Sequence, residues 1–239
     1  MKLLVSPRNY EEARAALLGN ADIIDVKNPA EGSLGANFPW VIRDIINLVK
    51  QYPHRESSAA IGDVPNLPGT VSLAALGLAS LGVDYVKIGL YGPDSIEKVR
   101  FLLKNSVRAI RDYDSHIRIV AVGYADYQKL QTSINPLELP TIAAETGCDA
   151  VMIDTAIKNG TSLLSLMKGT EIQQFIDLGR SSGLQVALAG ALKINDCIIL
   201  KKMSPDIIGV RSAVCENFDR NKGNIEGKLV ENLKMCLLS

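Results

Sequence analysis

The sequence predicts a (β/α)8 barrel, and three observations support that prediction. Short apolar or β-branched runs alternate with longer segments of helical period along the whole chain. Eight such runs occur in 239 residues, which is the number of strands in that barrel. No Gly-x-Gly-x-x-Gly turn follows the first run, which disfavours a doubly wound open sheet. We therefore expect a single α/β domain spanning residues 1–239.

The predicted elements alternate strictly in chain order. The strands, recognised as short apolar runs, are Lys2–Ser6, Asp22–Lys27, Ser58–Gly62, Asp84–Leu90, Ile117–Val122, Ala150–Asp154, Gln185–Ala189 and Asp206–Val210. The helices, recognised by their 3.6-residue period, are Tyr10–Leu18, Trp40–Gln51, Thr70–Leu81, Ser95–Tyr113, Leu137–Thr146, Thr170–Ser181, Ile194–Met203 and Glu226–Leu237. Several helices end near a glycine, a residue that favours helix termination.

Composition excludes several classes of function. Acidic and basic residues cancel at 26 each, so neither a nucleic-acid surface nor an anionic-membrane surface is expected. The early Pro7 argues against a secretory signal, and no run reaches the roughly 18 apolar residues of a membrane span. Widely spaced cysteines predict reduced, mostly buried thiols in a cytoplasmic protein: Cys148, Cys197, Cys215 and Cys236.

Three of the predicted strands carry charged residues in their middle or at their carboxyl end. Lys27 ends the second strand, and Asp25, two residues earlier, shares its face. Lys87 lies within the fourth strand, and Asp154 ends the sixth. Lys158 follows in the loop beyond that strand. Because a barrel brings the carboxyl ends of its strands to one mouth, we expect these five side chains to converge there.

This set of residues indicates amine chemistry on a carbonyl substrate. A lysine of ordinary pKa is only about 0.04% neutral at pH 7, but desolvation or a second ammonium nearby favours the nucleophilic amine. Neighbouring carboxylates can then move protons. Spacing does not decide whether Lys27 or Lys87 would carry the covalent bond. The alternative interpretation is a buried structural Asp25–Lys27 ion pair with Lys158 as a solvated loop lysine.

Phosphate binding is the second predicted property. Loops after strands 7 and 8 of such barrels often bind phosphate, and here they contain Gly190, Gly209, Arg211 and Ser212. The glycines permit close backbone approach, and the arginine offers a forked donor. The alternative is that the glycines only serve tight turns. The long loop after strand 2 is a candidate substrate loop with Ser33 and Asn37 as hydrogen-bond donors, and it could equally be a rigid lid or an oligomer contact. On strand 4, Gly89 leaves space for a ligand.

Metal and serine-triad chemistry are not expected. The two histidines, His54 and His116, both precede strands and therefore belong to the face of the barrel opposite the mouth. No Gly-x-Ser-x-Gly elbow follows a predicted strand. Self-association is left open, and we expect an exposed apolar face on the second helix at Ile42, Ile45 and Ile46 that is compatible with it.

Several motifs resemble the methanogen (5-formylfuran-3-yl)methyl phosphate synthase family over nearly the whole chain. They are Asp25-Val-Lys27-Asn-Pro, Glu31-Gly-Ser-Leu-Gly-Ala-Asn-Phe-Pro-Trp40, Gly62-Asp-Val-Pro, Pro68-Gly-Thr-Val-Ser-Leu-Ala-Ala75, Lys87-Ile-Gly-Leu-Tyr-Gly92, Gly123-Tyr-Ala-Asp126, Asp154-Thr-Ala-Ile-Lys158 and Gly209-Val-Arg211.

The resemblance implies a barrel lyase of methanofuran biosynthesis that joins two molecules of glyceraldehyde 3-phosphate without a metal or organic cofactor. It further implies that Lys27 forms the Schiff base, that Lys87 accepts a proton, and that Asp154 and Lys158 assist. The role of Asp126 stays open. Two other functions are kept as alternatives: a Schiff-base aldolase acting on another sugar phosphate, and a non-catalytic barrel that binds a phosphorylated metabolite.

Overall fold

A computed structural model describes residues 1–130 and 133–238 and shows a closed barrel of eight parallel strands in chain order. The strands are β1 Lys2–Val5, β2 Ile23–Val26, β3 Glu56–Ala60, β4 Tyr85–Gly89, β5 Arg118–Tyr124, β6 Ala150–Asp154, β7 Gln185–Leu188 and β8 Ile207–Val210. The barrel closes where β1 pairs with β8, which places Leu4 opposite Gly209. The predicted fold is confirmed, and strand ends differ from the prediction by no more than the fraying normal at element ends.

Helices follow the strands around the outside. They are α1 Tyr10–Leu18, α2 Pro39–Val49, α3 Pro68–Ser80, α4 Ile96–Arg111, α5 Leu139–Thr146, α6 Leu163–Leu166, α7 Gly169–Ser181, α8 Ile194–Lys201 and α9 Gly227–Leu238. The four-residue α6 is absent from the prediction because one turn is too short to show a period. Local signals set the ends of the others: the Asn9 side chain caps α1, and Gly147 ends α5 in the left-handed conformation.

One prediction about the surface is wrong. Ile42, Ile45 and Ile46 of α2 are buried in the main hydrophobic core rather than exposed. Their spacing of three and four residues forms the stripe with which a barrel helix packs against the sheet. The case for self-association that rested on these residues is therefore removed.

Four aspartates, each directly before an even-numbered strand, organise the amino-terminal face. Each carboxylate accepts a hydrogen bond from a main-chain N–H of the preceding strand. The donor–acceptor pairs, at N···O distances between 2.7 and 2.8 Å, are Leu3–Asp22, Ser57–Asp84, Ile119–Asp149 and Val186–Asp206. The same arrangement therefore recurs around the barrel and satisfies strand N–H groups on the face away from the mouth.

We expect Asp206→Ala to lower the free energy of unfolding by about 1.5–3 kcal/mol, because the buried Val186 N–H loses a charged acceptor. Chemical denaturation measures this change. The control is Asp177→Ala, which removes an exposed carboxylate bonded to Gln173 on the surface of α7 and should cost below about 0.5 kcal/mol. Equal losses in the two variants would contradict the role given to Asp206.

The barrel interior is a separate apolar cluster with a polar layer towards the mouth. At the amino-terminal end the Arg118 guanidinium lies over the Tyr85 ring at 3.8 Å from its centroid. Towards the mouth Leu34, carried by the loop after β2, belongs to the same interior cluster. Asp25 and Lys87 are buried in the strands below it. Within residues 1–130 and 133–238, none of the helices has the length and apolar character needed to cross a membrane.

Candidate active site

A cavity of about 30 Å³ lies at the carboxyl ends of the strands, where the fold class places its reactive groups. Its charged lining includes all five residues for which the sequence predicts catalysis, together with two arginines: Asp25, Lys27, Lys87, Asp154, Lys158, Arg211 and Arg220. Since a water needs about 10–15 Å³, the cavity holds about two waters.

Lys27 is the cavity lysine without a partner. The residue is only 5% exposed, yet its Nζ forms no hydrogen bond or ion pair with any residue that the structure describes. Desolvation by burial lowers the pKa of Lys27 from 10.5 to about 7; Lys158 and Lys87 push it in the same direction, while Asp154 and Asp25 oppose. About half of this amine is consequently neutral at pH 7, and the neutral amine is the nucleophilic form.

Lys87 and Asp25 form a buried ion pair instead. The Lys87 Nζ donates to Asp25 Oδ2 at 2.5 Å, and the Ser6 hydroxyl donates to the same oxygen at 2.9 Å. The other carboxylate oxygen, Oδ1, is enclosed by protein and has no partner among the described residues. Asp25 therefore pairs with Lys87 and not with Lys27, and it retains one oxygen that can accept a proton or a hydrogen bond.

A second ion pair joins Asp154 at the end of β6 to Lys158. The Lys158 Nζ donates to Asp154 Oδ1 at 2.7 Å and to the Thr155 hydroxyl at 3.1 Å. Burial acts to raise the pKa of Asp154, but the ammonium groups of Lys158 and Lys27 hold it well below its usual range. Burial lowers the pKa of Lys158, opposed by Asp154. Lys158 is therefore a paired group whose side chain is only 15% exposed, rather than a solvated loop lysine.

Asp126 supports the loop that carries Lys158. Its two carboxylate oxygens accept hydrogen bonds from the main-chain N–H groups of Ala156 and Ile157, at 2.8 and 2.7 Å. The chain between Asp154 and Lys158 is thereby held in place. Asp126 orders the neighbourhood of the site from outside the cavity lining.

The loop after β2 crosses the mouth of the barrel as a cover. The Ser33 hydroxyl donates to the Thr155 carbonyl at 2.7 Å, on the opposite side of the mouth. Asn37 donates to the carbonyls of Arg8 and Lys27. Ser33 is buried and does not line the cavity, so the structure places its hydroxyl in a contact that holds the cover.

The space expected above Gly89 is filled by protein. A Cβ at this glycine would come within 2.7 Å of both a Leu34 methyl group and the Tyr124 hydroxyl. Tyr124 in turn donates to Asp63 at 2.8 Å, and Asp63 also accepts from the Leu34 N–H. The expectation that Gly89 leaves room for a ligand is therefore wrong, because the covering loop packs on it.

The predicted phosphate-binding residues Gly190, Gly209, Arg211 and Ser212 all line the cavity. Gly190 has a φ of 112°, and a Cβ there would lie 2.9 Å from a Thr155 methyl group, so this position requires glycine. Gly209 packs against the barrel interior. The structure thus brings the two strand ends together as the sequence predicts.

The Arg211 guanidinium, however, is already engaged by the protein. Its Nη1 donates to Glu12 Oε2 and to the Ser6 carbonyl, both at 2.7 Å, and its Nε donates to the Arg220 carbonyl at 2.9 Å. Both Arg211 and Glu12 are buried. The forked donor expected to face a phosphate is instead used to hold the loop after β8.

Comparison with known proteins identifies the family. The model of one protein family, described as 4-HFC-P synthase, matches residues 3–234. The chain belongs to the 4-HFC-P synthase family. Similar proteins named (5-formylfuran-3-yl)methyl phosphate synthase include one from Archaeoglobus fulgidus, 54% identical over 97% of this chain and 98% of the relative. Another, from Methanocaldococcus jannaschii, is 49% identical over 98% of each.

Solved structures show that this member of the 4-HFC-P synthase family shares its barrel fold with other proteins. A 3-hexulose-6-phosphate synthase from Salmonella typhimurium superposes with a TM-score of 0.65 at 16% identity, covering 98% of this chain and 99% of that one. The protein KGPDC from Streptococcus mutans superposes with a TM-score of 0.64 at 14% identity, covering 99% of this chain and 97% of that one. At such identities the likeness concerns the barrel fold, whereas the family itself identifies the chain as an enzyme.

Two polar cavity residues of this 4-HFC-P synthase family member escape the sequence prediction. Ser6 is the residue after β1, and its hydroxyl bonds to Asp25. Its position at a strand end is a signal that could have marked it. Arg220 lies ten residues beyond β8, in a loop of short turns. No periodicity or spacing rule places such a residue over the mouth.

Proposed function

We propose that this chain condenses two molecules of glyceraldehyde 3-phosphate into (5-formylfuran-3-yl)methyl phosphate through a lysine Schiff base. Atom balance requires the loss of one phosphate and two waters. The observation that carries the proposal is the desolvated, unpaired Lys27 with a pKa of about 7 among paired charges at the barrel mouth. Family membership supports the product, and we place the reaction in cytoplasmic methanofuran biosynthesis.

Lys27 is the proposed nucleophile because its nitrogen is neutral for a large fraction of the time and bonds to no neighbour in the described part of the chain. The amine adds to the carbonyl of one triose phosphate, and loss of water gives an iminium. This group serves as the electron sink when the adjacent carbon loses a proton, leaving an enamine. The nucleophilic carbon then attacks the carbonyl of the second triose.

The Lys87–Asp25 pair is the proposed proton acceptor. Their 2.5 Å hydrogen bond is a path along which the Lys87 proton can pass to Asp25. The neutral Lys87 amine can then accept the substrate proton. The unpartnered Oδ1 of Asp25 offers a place for a second hydrogen bond during this transfer.

Lys158 is the proposed proton donor for the eliminations. Because Asp154 stays ionised, the proton shared by this pair resides on Lys158. An ammonium group at the cavity wall can protonate a departing hydroxyl and neutralise a departing phosphate. The ionised Asp154 holds that ammonium in place and favours its return to the charged form after each transfer. Aromatisation of the furan then draws the sequence to completion.

The rate of Schiff-base formation should rise with pH through a midpoint near 7. Protonated Lys27 cannot attack a carbonyl, and its lowered pKa moves the transition from 10.5 to about 7. Cyanoborohydride trapping with glyceraldehyde 3-phosphate, followed by intact mass, measures this rate between about pH 5.5 and 10. A rate that keeps climbing to the top of this range would show that the reacting lysine is an ordinary solvated one.

Product analysis tests the function itself. Purified protein is incubated with glyceraldehyde 3-phosphate, and near-ultraviolet absorbance, released phosphate and product mass are followed together. The proposal predicts a furan and one phosphate for every two trioses consumed. A sugar phosphate without ultraviolet absorbance would instead identify an aldolase, and binding without any conversion would identify a non-catalytic barrel.

A further inference from the structure

We infer that Arg220 binds the phosphate group of the triose phosphate that reacts at Lys27. This inference rests on the proposed function and names a residue for substrate recognition within the same site. The loop between β8 and α9 carries Arg220, and the side chain lines the cavity together with Gly190 and Ser212.

Arg220 carries an unsatisfied donor. Its Nη2 is enclosed by protein and has no hydrogen-bond partner among residues 1–130 and 133–238. A buried N–H group without an acceptor is costly, and most such groups in folded proteins find a partner. An anionic oxygen in the cavity would supply the missing acceptor.

The Arg220 guanidinium differs from most cations of the cavity in its pairing. Lys87 is paired with Asp25, Lys158 with Asp154, and Arg211 with Glu12. Arg220, by contrast, forms no ion pair with any carboxylate in the described part of the chain. A planar guanidinium without an ion-pair partner can donate two parallel hydrogen bonds to the oxygens of a phosphate group.

The main chain at Arg220 is held in position by two other arginines. The Arg211 Nε donates to the Arg220 carbonyl at 2.9 Å, and the Arg8 Nη1 donates to the next carbonyl, that of Asn221, at 2.6 Å. Both arginines are themselves paired with Glu12. Arg211 is therefore a positioning residue that fixes the loop from which Arg220 reaches the cavity.

The test compares an aldehyde that has the phosphate with one that lacks it. Cyanoborohydride adducts on the intact protein are quantified against concentration for glyceraldehyde 3-phosphate and for glyceraldehyde. Arg220→Gln should raise the half-saturating concentration of the phosphorylated aldehyde roughly ten- to a hundredfold and leave that of glyceraldehyde within about twofold. Arg220→Lys keeps the positive charge but cannot donate two parallel hydrogen bonds. Its half-saturating concentration for glyceraldehyde 3-phosphate should lie between those of the wild type and Arg220→Gln. Lys222→Gln, an exposed cation of the same loop, is the matched control and should change neither.

The unphosphorylated aldehyde also reports whether each variant is folded. An unchanged half-saturating concentration of glyceraldehyde 3-phosphate in Arg220→Gln overturns the inference, and so does an equal loss for both aldehydes. If the wild-type protein traps neither aldehyde, the proposed function fails, and calorimetry with inorganic phosphate decides the inference separately. In that experiment a tenfold or greater weakening in Arg220→Gln supports phosphate binding by Arg220, and equal affinity refutes it.

Discussion

Lys27→Met is expected to reduce furan formation by at least about a thousandfold and to abolish borohydride trapping. A thioether cannot form an imine, and the other two cavity lysines are held in ion pairs with Asp25 and Asp154. Turnover of glyceraldehyde 3-phosphate by absorbance, together with adduct mass, measures both losses. Lys98→Met, which removes an exposed lysine of α4 paired with Asp94, is the control and should retain full activity.

Stability measurements separate this chemical loss from misfolding. The folded pKa of Lys27, about 7, lies below the 10.5 of an unperturbed lysine, so the unfolded chain binds more protons between these values. Burial of Lys27 therefore lowers the free energy of unfolding by its full amount below pH 7. As the pH rises from 7 to 10.5 this destabilisation decreases. Lys27→Met should therefore raise the free energy of unfolding by on the order of 3–5 kcal/mol at about pH 6. This increase should become smaller as the pH approaches 10.5, the pKa of an unperturbed lysine. A variant that is inactive and also less stable at this acidic pH would contradict this explanation.

Glu12→Ala is expected to lower the free energy of unfolding by about 3–5 kcal/mol, and Tm by roughly 8–15 °C. The substitution leaves the Arg211 guanidinium, whose side chain is 3% exposed, without its carboxylate. It also removes the acceptor of the Arg8 N–H and the partner of the Arg8 side chain. Thermal and chemical denaturation measure the loss.

An exposed ion pair of similar geometry provides the control. Arg100 and Glu145 approach to 2.9 Å, but their side chains are 43% and 48% exposed. Glu145→Ala should lower the free energy of unfolding by no more than about 1 kcal/mol. Comparable losses in the two variants would show that burial does not set the strength of the Glu12 contact.

The strands and their polar ends could be predicted because both depend on local pattern and on one rule of topology. Alternating periods define β1 to β8, and parallel closure then carries Lys27, Lys87 and Asp154 to a common mouth. Neither step requires knowledge of which side chains touch. Family resemblance adds the chemistry, and the family model confirms the family.

Pairings between distant residues could not be predicted in this way. Arg211 lies 199 positions from Glu12, so nothing near Arg211 in the sequence shows that its guanidinium is already paired. Asp25 has Lys27 as a near neighbour on the same face, yet it pairs with Lys87, 62 positions away on β4. Arg220 belongs to an irregular loop whose course is set by contacts to Arg211 and Arg8.

Lys27, and not Lys87 or Lys158, is expected to carry the covalent intermediate, and the proposed mechanism depends on this more than on any other assignment. Reduction of a mixture of the wild-type protein and glyceraldehyde 3-phosphate with borohydride, followed by peptide mapping, tests it most directly. The geometry predicts one adduct, on the peptide that contains Lys27, with Lys87 and Lys158 unmodified. An adduct on Lys87 or Lys158 with Lys27 unmodified would contradict the mechanism.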